Sequence, residues 1–315
     1  MRGPLKIISG RSHREFAEEI CDHLAVQLTD VELITFSNEN QMVKIQENVR
    51  EADVFVVQTS CPPVSDIMIE TFLMLDALRH SSAQRVTAVL PYFPYVRSDK
   101  KDQPRISIAA RLVADLFQTA GADKFLTMEF HSPQIQGFFK VPVDQLLATE
   151  VFVKHFREED LSNTVLVAAD VGEAKQMGKY ATRMDLPMAI IDKRRVGNLE
   201  KVVPAHVIGD VDGKDCLLID DEVASGGTLC AAADFLKTKG AKSIRAAITH
   251  PVLSGNAIER INKSQLDELV VTNTIPLGDK AKLTDKIRVL TVAPLFAQAI
   301  NNIHNGNSIS VLFKD

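Results

Sequence analysis

Short apolar runs alternate with longer amphipathic stretches along most of the chain. The short runs are rich in Val, Ile and Leu, which predicts strands buried on both faces. In the longer stretches apolar residues recur every three or four positions, which predicts helices. The predicted strands cover residues 6–9, 31–36, 54–58, 86–91, 125–130, 165–169, 188–191, 217–219, 244–249 and 269–271. The predicted helices cover residues 14–28, 66–79, 106–120, 151–156, 174–183, 229–239 and 295–303.

This order of elements predicts an α/β fold, in which parallel sheets carry helices on both faces. The alternation is interrupted near Pro142 and then restarts, so we expect two domains, residues 1–145 and residues 146–315. Each domain would be a mostly parallel sheet flanked by helices. Ser12 precedes the first helical stretch and is its predicted N-cap, because a Ser side chain can accept hydrogen bonds from the amides of a first turn.

The composition narrows the class of protein. The chain has 315 residues, of which 45% are hydrophobic and 24% charged, as in soluble globular proteins. Its net charge of −5 argues against a general nucleic-acid binder, and no apolar run is long enough to cross a membrane. Its first residues lack the apolar core of a signal peptide. The cysteines are widely spaced, which favours reduced thiols in a cytoplasmic protein; they are Cys21, Cys61, Cys216 and Cys230.

The most specific chemistry follows the apolar run 217–219. Asp220 and Asp221 come where this predicted strand ends, and their carboxylates can accept hydrogen bonds from sugar hydroxyls. A loop of small residues then opens a helix, so amides, hydroxyls and the helix dipole can hold a phosphate. An ordinary tight turn is the alternative. The loop consists of Ala224, Ser225, Gly226, Gly227 and Thr228, and it resembles the ribose-5-phosphate loop of the type I phosphoribosyltransferase superfamily.

Two basic stretches also follow predicted strands. Residues 97–102 follow the strand 86–91, and residues 193–195, Lys-Arg-Arg, follow the strand 188–191. Arg can grip phosphate oxygens with two hydrogen bonds and Lys adds a point charge, so both stretches can bind a polyphosphate. The second stretch can be a surface patch or, equally, a mobile loop that closes over phosphates. A solvent-exposed run of charges is the alternative for either stretch.

Two single side chains at strand ends are candidate metal ligands. His131 follows the predicted strand 125–130, and Asp170 follows the strand 165–169. A carboxylate suits Mg²⁺, either directly or through water. The alternatives are a hydrogen-bonded structural histidine and an Asp that caps the next helix.

Taken together, these features resemble the ribose-phosphate diphosphokinase family, also called the phosphoribosyl pyrophosphate synthetases. The likeness runs nearly from end to end. Its most specific segments are Phe36-Ser37-Asn38, Phe93-Pro94-Tyr95, Asp99-Lys100-Lys101-Asp102, Gln134-Ile135-Gln136-Gly137-Phe138-Phe139, Asp192-Lys193-Arg194-Arg195, the loop 224–228, Val271-Thr272-Asn273-Thr274-Ile275-Pro276 and His304-Asn305-Gly306.

The resemblance implies a fold of two type I phosphoribosyltransferase-like domains and an enzyme of nucleotide biosynthesis. Such an enzyme transfers the β,γ-diphosphoryl group of ATP to the 1-hydroxyl of ribose 5-phosphate, giving phosphoribosyl pyrophosphate and AMP. It requires Mg²⁺. Members of the family assemble into dimers and larger rings, commonly hexamers, so a homo-oligomer is expected, with no nucleic-acid or membrane partner.

Roles carry over by position. The resemblance implies that Lys193 and Arg195 stabilise the transition state, and that His131 and Asp170 bind the metal–nucleotide. Asp220 and Asp221 would meet the ribose hydroxyls, and residues 224–228 the 5-phosphate. The ATP site would comprise Phe36, Asn38 and Asn40 near the adenine, contributed by a neighbouring subunit, and Arg97, Ser98, Lys100 and Asp102 in the first basic stretch.

Several positions depart from the family pattern. Ala224 stands where an Asp is usual, Asn40 replaces an acid near the adenine, and Ser98 replaces a Gln. Pro133 stands where the phosphate-activated regulatory site usually has a Ser. These changes bear on nucleotide preference and regulation, because both inferred catalytic residues are retained.

Two other functions remain alternatives. A nucleobase phosphoribosyltransferase shares the sugar-phosphate loop, but such enzymes usually have one domain and do not need the basic stretch 97–102. A non-catalytic regulatory homologue would bind active subunits, but such a chain is expected to lose Lys193 and Arg195, which are present here.

Overall fold

The computed structural model describes residues 3–170, 172, 174–195 and 202–313. The chain divides into two compact units. The first consists of Met1–Leu147, Thr274–Pro276 and Thr291–Asp315, and the second of Ala148–Asn273 and Leu277–Leu290. Among the described residues, none of the helices combines the length and apolar character that crossing a membrane requires.

The first unit is built on a five-stranded sheet in which all neighbouring strands are parallel. Its central strands are apolar and fully buried, as expected for a sheet covered on both faces. In spatial order the strands are β1 (Leu5–Ser9), β4 (Asp53–Val57), β5 (Arg85–Leu90), β6 (Lys124–Met128) and β7 (Val143–Leu146).

A separate antiparallel hairpin and four helices complete the first unit. The hairpin pairs β2 (Val31–Thr35) with β3 (Gln41–Ile45). The helices are α1 (Arg14–Leu24), α2 (Val64–His80), α3 (Ala109–Ala120) and α8 (Ala293–Asn305). Short 3₁₀ helices cover Pro133–Phe138 and Ser310–Phe313.

The second unit has a seven-stranded sheet, parallel except for one antiparallel edge strand. Its helices are α4 (Thr149–Phe156), α5 (Ala174–Met184), α6 (Gly227–Thr238) and α7 (Ala257–Lys263), with a 3₁₀ helix at Gly278–Leu283. In spatial order the strands are β10 (Val202–Ile208), β9 (Met188–Arg195), β8 (Thr164–Ala168), β11 (Asp215–Glu222), β12 (Ser243–His250), β13 (Glu268–Thr272) and β14 (Ile287–Leu290).

The predicted α/β class is confirmed, and every predicted strand and helix is present with shifted ends. The first predicted helix was too long, because Ala25 takes a left-handed φ of 53° and ends α1 at Leu24. Ser12 is not its cap. The N-cap position is occupied by His13. The Ser12 hydroxyl instead donates a hydrogen bond to Gln58 Oε1 and accepts one from the Thr59 amide at 2.8 Å. Five elements were not predicted: β3, β7, β10, β14 and α7.

The C-terminal segment differs from the predicted division at residue 145. Thr291–Asp315 belongs to the first unit, although it follows the second along the chain. The reason is packing: the apolar face of α8 lies against α1, where the Phe296 and Phe16 rings meet edge to face, 5.4 Å between centroids. The order of elements along the chain cannot show that the C-terminal segment packs with the first unit.

A buried carboxylate fixes this returning helix. Asp53, the first residue of β4, is 1% exposed and receives two hydrogen bonds from Arg85, at 2.8 and 2.6 Å. His304 Nδ1 of α8 lies 2.8 Å from the same carboxylate, and Arg85 also donates to the Ile303 carbonyl at 3.2 Å. One Asp thus joins β4, β5 and α8.

The second unit anchors β11 in a similar way. Its first residue, Asp215, accepts hydrogen bonds from Ser243 Oγ at 2.6 Å and from Asn163 Nδ2 at 3.1 Å. The Ser243 bond is the main cause that lowers the pKa of Asp215. A lowered pKa in the folded state means that this stabilisation is present at neutral pH and is lost as the pH falls through that pKa.

All four cysteines carry thiols rather than disulfides. Burial raises the pKa of Cys21 and of Cys216 to about 11. A thiol is nucleophilic only when it is deprotonated, so these two side chains act as small core residues.

We expect Asp53→Ala to lower the free energy of unfolding by about 3–5 kcal/mol, because it leaves the partly buried Arg85 without its counter-charge and removes a hydrogen-bond partner of His304. Urea unfolding followed by circular dichroism measures this loss. Lys6→Ala is the control, since it removes an ion pair with Glu47 that is exposed and worth about 0–1 kcal/mol. A loss below about 1 kcal/mol in Asp53→Ala would show that the buried cluster does not hold α8.

Candidate active site

The second unit gathers acidic side chains at one edge of its sheet. β8 and β11 are parallel neighbours, so their carboxyl ends meet at the same edge. Asp170 follows β8, while Asp220 and Asp221 lie in the last part of β11, which extends to Glu222. Glu222 directly follows the two predicted carboxylates in the sequence, but only the end of the strand in the structure shows that Glu222 belongs to β11. The edge is therefore rich in carboxylates.

The two predicted sugar-binding carboxylates are half-buried and lie on opposite faces of β11, because strand side chains alternate. Asp220 Oδ1 accepts a hydrogen bond from the Asp221 amide at 2.8 Å. The buried residues Cys216–Ile219 hold the strand in the core. A well-packed strand thus presents polar oxygens at its carboxyl end.

The loop after β11 begins the helix α6. Gly226 has a left-handed φ of 72°, which a residue with a β-carbon adopts only with strain. Gly227 is already the first residue of α6. Of the two glycines, Gly226 is therefore the one that requires a positive φ.

The open side of this loop carries the features of an anion site. Ser225, Gly227 and Thr228 are exposed, and the first-turn amides of α6 have no acceptor within their own helix. These amides and the positive end of the helix dipole favour a bound phosphate. A β-carbon built on Gly227 would lie 3.7 Å from Arg260 Nη1 and 3.7 Å from Ser225 Oγ, so the protein leaves room there.

Asp170 forms a local turn after β8. Its Oδ1 accepts a hydrogen bond from the Gly172 amide at 2.8 Å, just before α5. Such a turn orients the carboxylate at the end of β8.

Residues 192–195 belong to a strand rather than to a separate loop. They extend β9 to Arg195 and pair with β10, where Arg195 stands opposite Val202 and Lys193 opposite Pro204. The apolar run ends at Ile191, but the hydrogen-bonded ladder does not depend on side-chain polarity. The side chains of Lys193 and Arg195 lie outside the described part of the structure.

The first basic stretch lies in a loop fixed by aromatic packing. Phe93 is buried and its ring meets those of Phe117, Phe130 and Phe139 at centroid distances of 5.3–5.9 Å. Val96 is also buried. The predicted ATP-site residues follow these anchors, with Arg97, Lys100 and Asp102 exposed and Ser98 half-buried.

His131 follows β6, the parallel neighbour of β5. Its exposed side chain comes just before the 3₁₀ helix Pro133–Phe138. The loop 97–102 follows β5, so the structure brings His131 and this basic loop to the same edge of the first sheet.

The predicted adenine-site residues lie at the tip of the β2–β3 hairpin. The Phe36 amide donates to the Asn40 carbonyl at 2.8 Å, and Asn38 Oδ1 accepts the Asn40 amide at 3.2 Å. Phe36 is 47% exposed, although it is a large apolar residue. An exposed ring on a rigid hairpin tip is suited to stacking against a flat ligand.

The donor set was compared with what a Mg²⁺ ion requires. Within the described ranges, no group of three or more His, Cys, Asp or Glu side chains could hold a metal by itself. Mg²⁺ does not need such a cage, because it keeps several waters and binds one or two carboxylates together with substrate phosphates. The carboxylates of Asp170, Asp220 and Asp221 fit that mode of binding, whereas the imidazole of His131 is a less typical ligand.

Comparisons with known proteins agree with the motifs. Residues 5–121 match the family model described as the N-terminal domain of ribose phosphate pyrophosphokinase, and residues 196–314 match the phosphoribosyl synthetase-associated domain. The ribose-phosphate pyrophosphokinase of Deinococcus radiodurans is 49% identical over 99% of this chain and 98% of its own length. The ribose-phosphate pyrophosphokinase of Wolinella succinogenes is 45% identical over 99% of this chain and 100% of its own length.

A solved structure gives the same result for the fold. The phosphoribosylpyrophosphate synthetase from Mycobacterium smegmatis superposes with a TM-score of 0.90 at 38% identity, and the match covers 96% of this chain and 100% of the other. This agreement confirms the phosphoribosyltransferase-like fold predicted from the sequence. The protein is an enzyme, and the chain belongs to the ribose-phosphate pyrophosphokinase family.

Proposed function

We propose that this chain transfers the β,γ-diphosphoryl group of ATP to the 1-hydroxyl of ribose 5-phosphate, forming phosphoribosyl pyrophosphate and AMP. The observation that carries this proposal is the loop 223–228, which opens α6 directly after the carboxylates of β11. A helix N-terminus suits a phosphate and carboxylates suit sugar hydroxyls, so one short segment matches both ends of a sugar phosphate.

The sugar-phosphate site has two parts. Asp220 and Asp221 accept hydrogen bonds from the ribose hydroxyls. The amides and hydroxyls of residues 224–228 hold the 5-phosphate, and the exposure of Ser225, Gly227 and Thr228 supports this. Ala224 lacks the carboxylate that is usual for the family, so the ribose contacts depend more on the strand residues.

The nucleotide site uses the exposed part of the basic loop. Arg97 and Lys100 bind the phosphates of ATP, and Ser98 and Asp102 lie beside them in the same loop. The hairpin residues Phe36, Asn38 and Asn40 contact the adenine of ATP bound to a neighbouring subunit. The protein is accordingly a homo-oligomer based on dimers, with hexamers the expected larger ring. We place its action in the cytoplasm.

Catalysis of phosphoryl transfer depends on positioning and on stabilising negative charge. Lys193 and Arg195 supply positive charge to the transferring group in the transition state. Asp170, Asp220 and Asp221 would hold Mg²⁺ through oxygen, and His131 would lie beside the metal–nucleotide. When bound, Mg²⁺ neutralises phosphate charge and orients the phosphate oxygens.

The test is AMP formation from ATP and Mg²⁺, measured with and without ribose 5-phosphate. We expect AMP only when the sugar phosphate is present, with one phosphoribosyl pyrophosphate formed per AMP. An absence of AMP under both conditions would favour a non-catalytic regulatory homologue. A reaction that consumes phosphoribosyl pyrophosphate and a free nucleobase instead would favour a nucleobase phosphoribosyltransferase.

We expect Gly227→Val to raise the KM for ribose 5-phosphate at least about tenfold while leaving the KM for ATP nearly unchanged. The β-carbon of the new side chain would lie 3.7 Å from Arg260 Nη1 and from Ser225 Oγ, which is ordinary contact, so the valine should exclude the phosphate rather than unfold the loop. Gly178→Val is the control, because it makes the same change in α5, also with open space around the β-carbon. Unchanged sugar-phosphate kinetics in Gly227→Val would remove this loop from the site.

We expect Arg195→Ala to lower kcat by about 10³-fold with little change in either KM, since a charge used only in the transition state does not affect ground-state binding. Arg194→Ala removes the same charge one position earlier and serves as the matched control; it should keep most of the activity. Steady-state kinetics for both substrates measure the effect. A raised KM with normal kcat in Arg195→Ala would make this residue a binding residue instead.

A further inference from the structure

The carbonyl groups of the loop after β11 are all bonded within the protein. The Val223 and Ala224 carbonyls accept the Leu253 and Ser254 amides, each at 2.9 Å. The Gly226 carbonyl accepts the Cys230 amide at 2.9 Å, which is the first hydrogen bond of α6. Three of the four bonds in this loop are thus made by backbone amides.

The fourth bond comes from a side chain. Arg260 Nη1 of α7 donates to the Ser225 carbonyl at 2.9 Å, across 35 residues of sequence. α7 is held close to the loop, since a β-carbon built on Gly226 would lie 3.6 Å from the Ala257 carbonyl. The guanidinium of Arg260 therefore reaches the loop from a helix that packs beside it.

These four bonds determine which way the amides point. In a trans peptide the C=O and the following N–H point in opposite directions. Because the carbonyls of residues 223–226 point toward their donors in the protein, the amides of residues 224–227 point away from those donors. An anion site needs this orientation, since a carbonyl turned toward a phosphate would repel it.

The peptide between Ser225 and Gly226 is the one most able to reverse. A reversal changes the φ of the second residue by about half a turn, and glycine tolerates φ of either sign. Of the residues 224–227 that follow these four peptides, Gly226 and Gly227 are glycines, but the carbonyl before Gly227 is fixed by the first hydrogen bond of α6. Gly226 now has a φ of 72°. Here the orientation depends on the side chain of Arg260 rather than on a backbone amide.

We propose that Arg260 is a positioning residue for the ribose-5-phosphate loop, an inference that rests on the proposed function. It holds the Ser225 carbonyl away from the substrate, so that the Gly226 amide can donate to the 5-phosphate. Its guanidinium also lies 3.7 Å from the β-carbon position of Gly227, which places a positive charge beside the first turn of α6. Arg260 does not contact the reacting atoms.

The experiment compares Arg260→Ala, Arg260→Lys and Lys263→Ala in the full-length protein. Lys263 lies on the same helix and pairs with Glu259 at 2.6 Å in solvent, so it is a matched control for removing charge. We expect Arg260→Ala to raise the KM for ribose 5-phosphate by about 10- to 100-fold, the range for a lost hydrogen bond to a charged group. The KM for ATP should stay within about twofold, and Arg260→Lys should recover part of the loss.

A second measurement separates orientation from charge alone. Gly226→Ala places a β-carbon on a residue with a φ of 72°, which strains the backbone. The added β-carbon has space, since its nearest neighbour would be the Ala257 carbonyl oxygen at 3.6 Å. The substitution should therefore favour the reversed Ser225–Gly226 peptide. If Arg260 acts by holding this peptide, the double variant should lose much less than the product of the two single effects. Independent effects that multiply would overturn the positioning role.

The outcomes for the two proposals are distinct. A wild-type protein that makes no AMP contradicts the proposed function. An active wild type whose KM for ribose 5-phosphate does not change in Arg260→Ala contradicts only the role of Arg260. A fall in kcat with both KM values unchanged, or equal rises in both KM values, would indicate a general structural role and would also overturn the inference. Thermal unfolding of each variant, read by circular dichroism, verifies that it is folded.

Discussion

The direction of four peptide groups is the constraint on which the site depends. A loop of small residues after a buried strand can bind a phosphate only when its backbone amides face the ligand. In this protein the carbonyls of residues 223–226 are bonded to residues 253, 254, 260 and 230. Their amides are thereby turned outward next to the N-terminus of α6, and the helix dipole acts in the same direction.

In both units the carboxyl ends of neighbouring parallel strands meet at one edge of the sheet, but the side chains gathered there differ. In the second unit, the carboxyl ends of β8 and β11 bring carboxylates and the phosphate loop to one edge. In the first unit, the ends of β5 and β6 bring the basic loop and His131 to one edge. The opposite ends of β4 and β11 begin with Asp53 and Asp215, whose hydrogen bonds fix the strands in register. The strands are therefore anchored at one end and carry the candidate site residues at the other.

The errors of the sequence analysis have separate physical causes. Residues 192–195 are too polar to be recognised as a buried strand, yet pairing with β10 extends β9 through them. Ser12 has the composition of a helix cap, but the side chain of Gln58 competes for its hydroxyl. The local sequence also leaves open which glycine of the loop takes a positive φ, because that depends on where α6 begins. For β9 and for Ser12, a contact with another segment outweighed a local preference.

The sequence by itself determined the alternation of strands and helices, the acids and small residues at the end of β11, and the family motifs. Those features are local, because hydrophobic period and turn chemistry act within a few residues. Only the tertiary structure decided that α8 returns to the first unit through His304 and Asp53, and that Arg260 holds the Ser225 carbonyl. These pairs are separated by 251 and 35 residues, and no periodic pattern links positions so far apart. They meet because helices pack their apolar faces against the sheets and carry particular side chains with them.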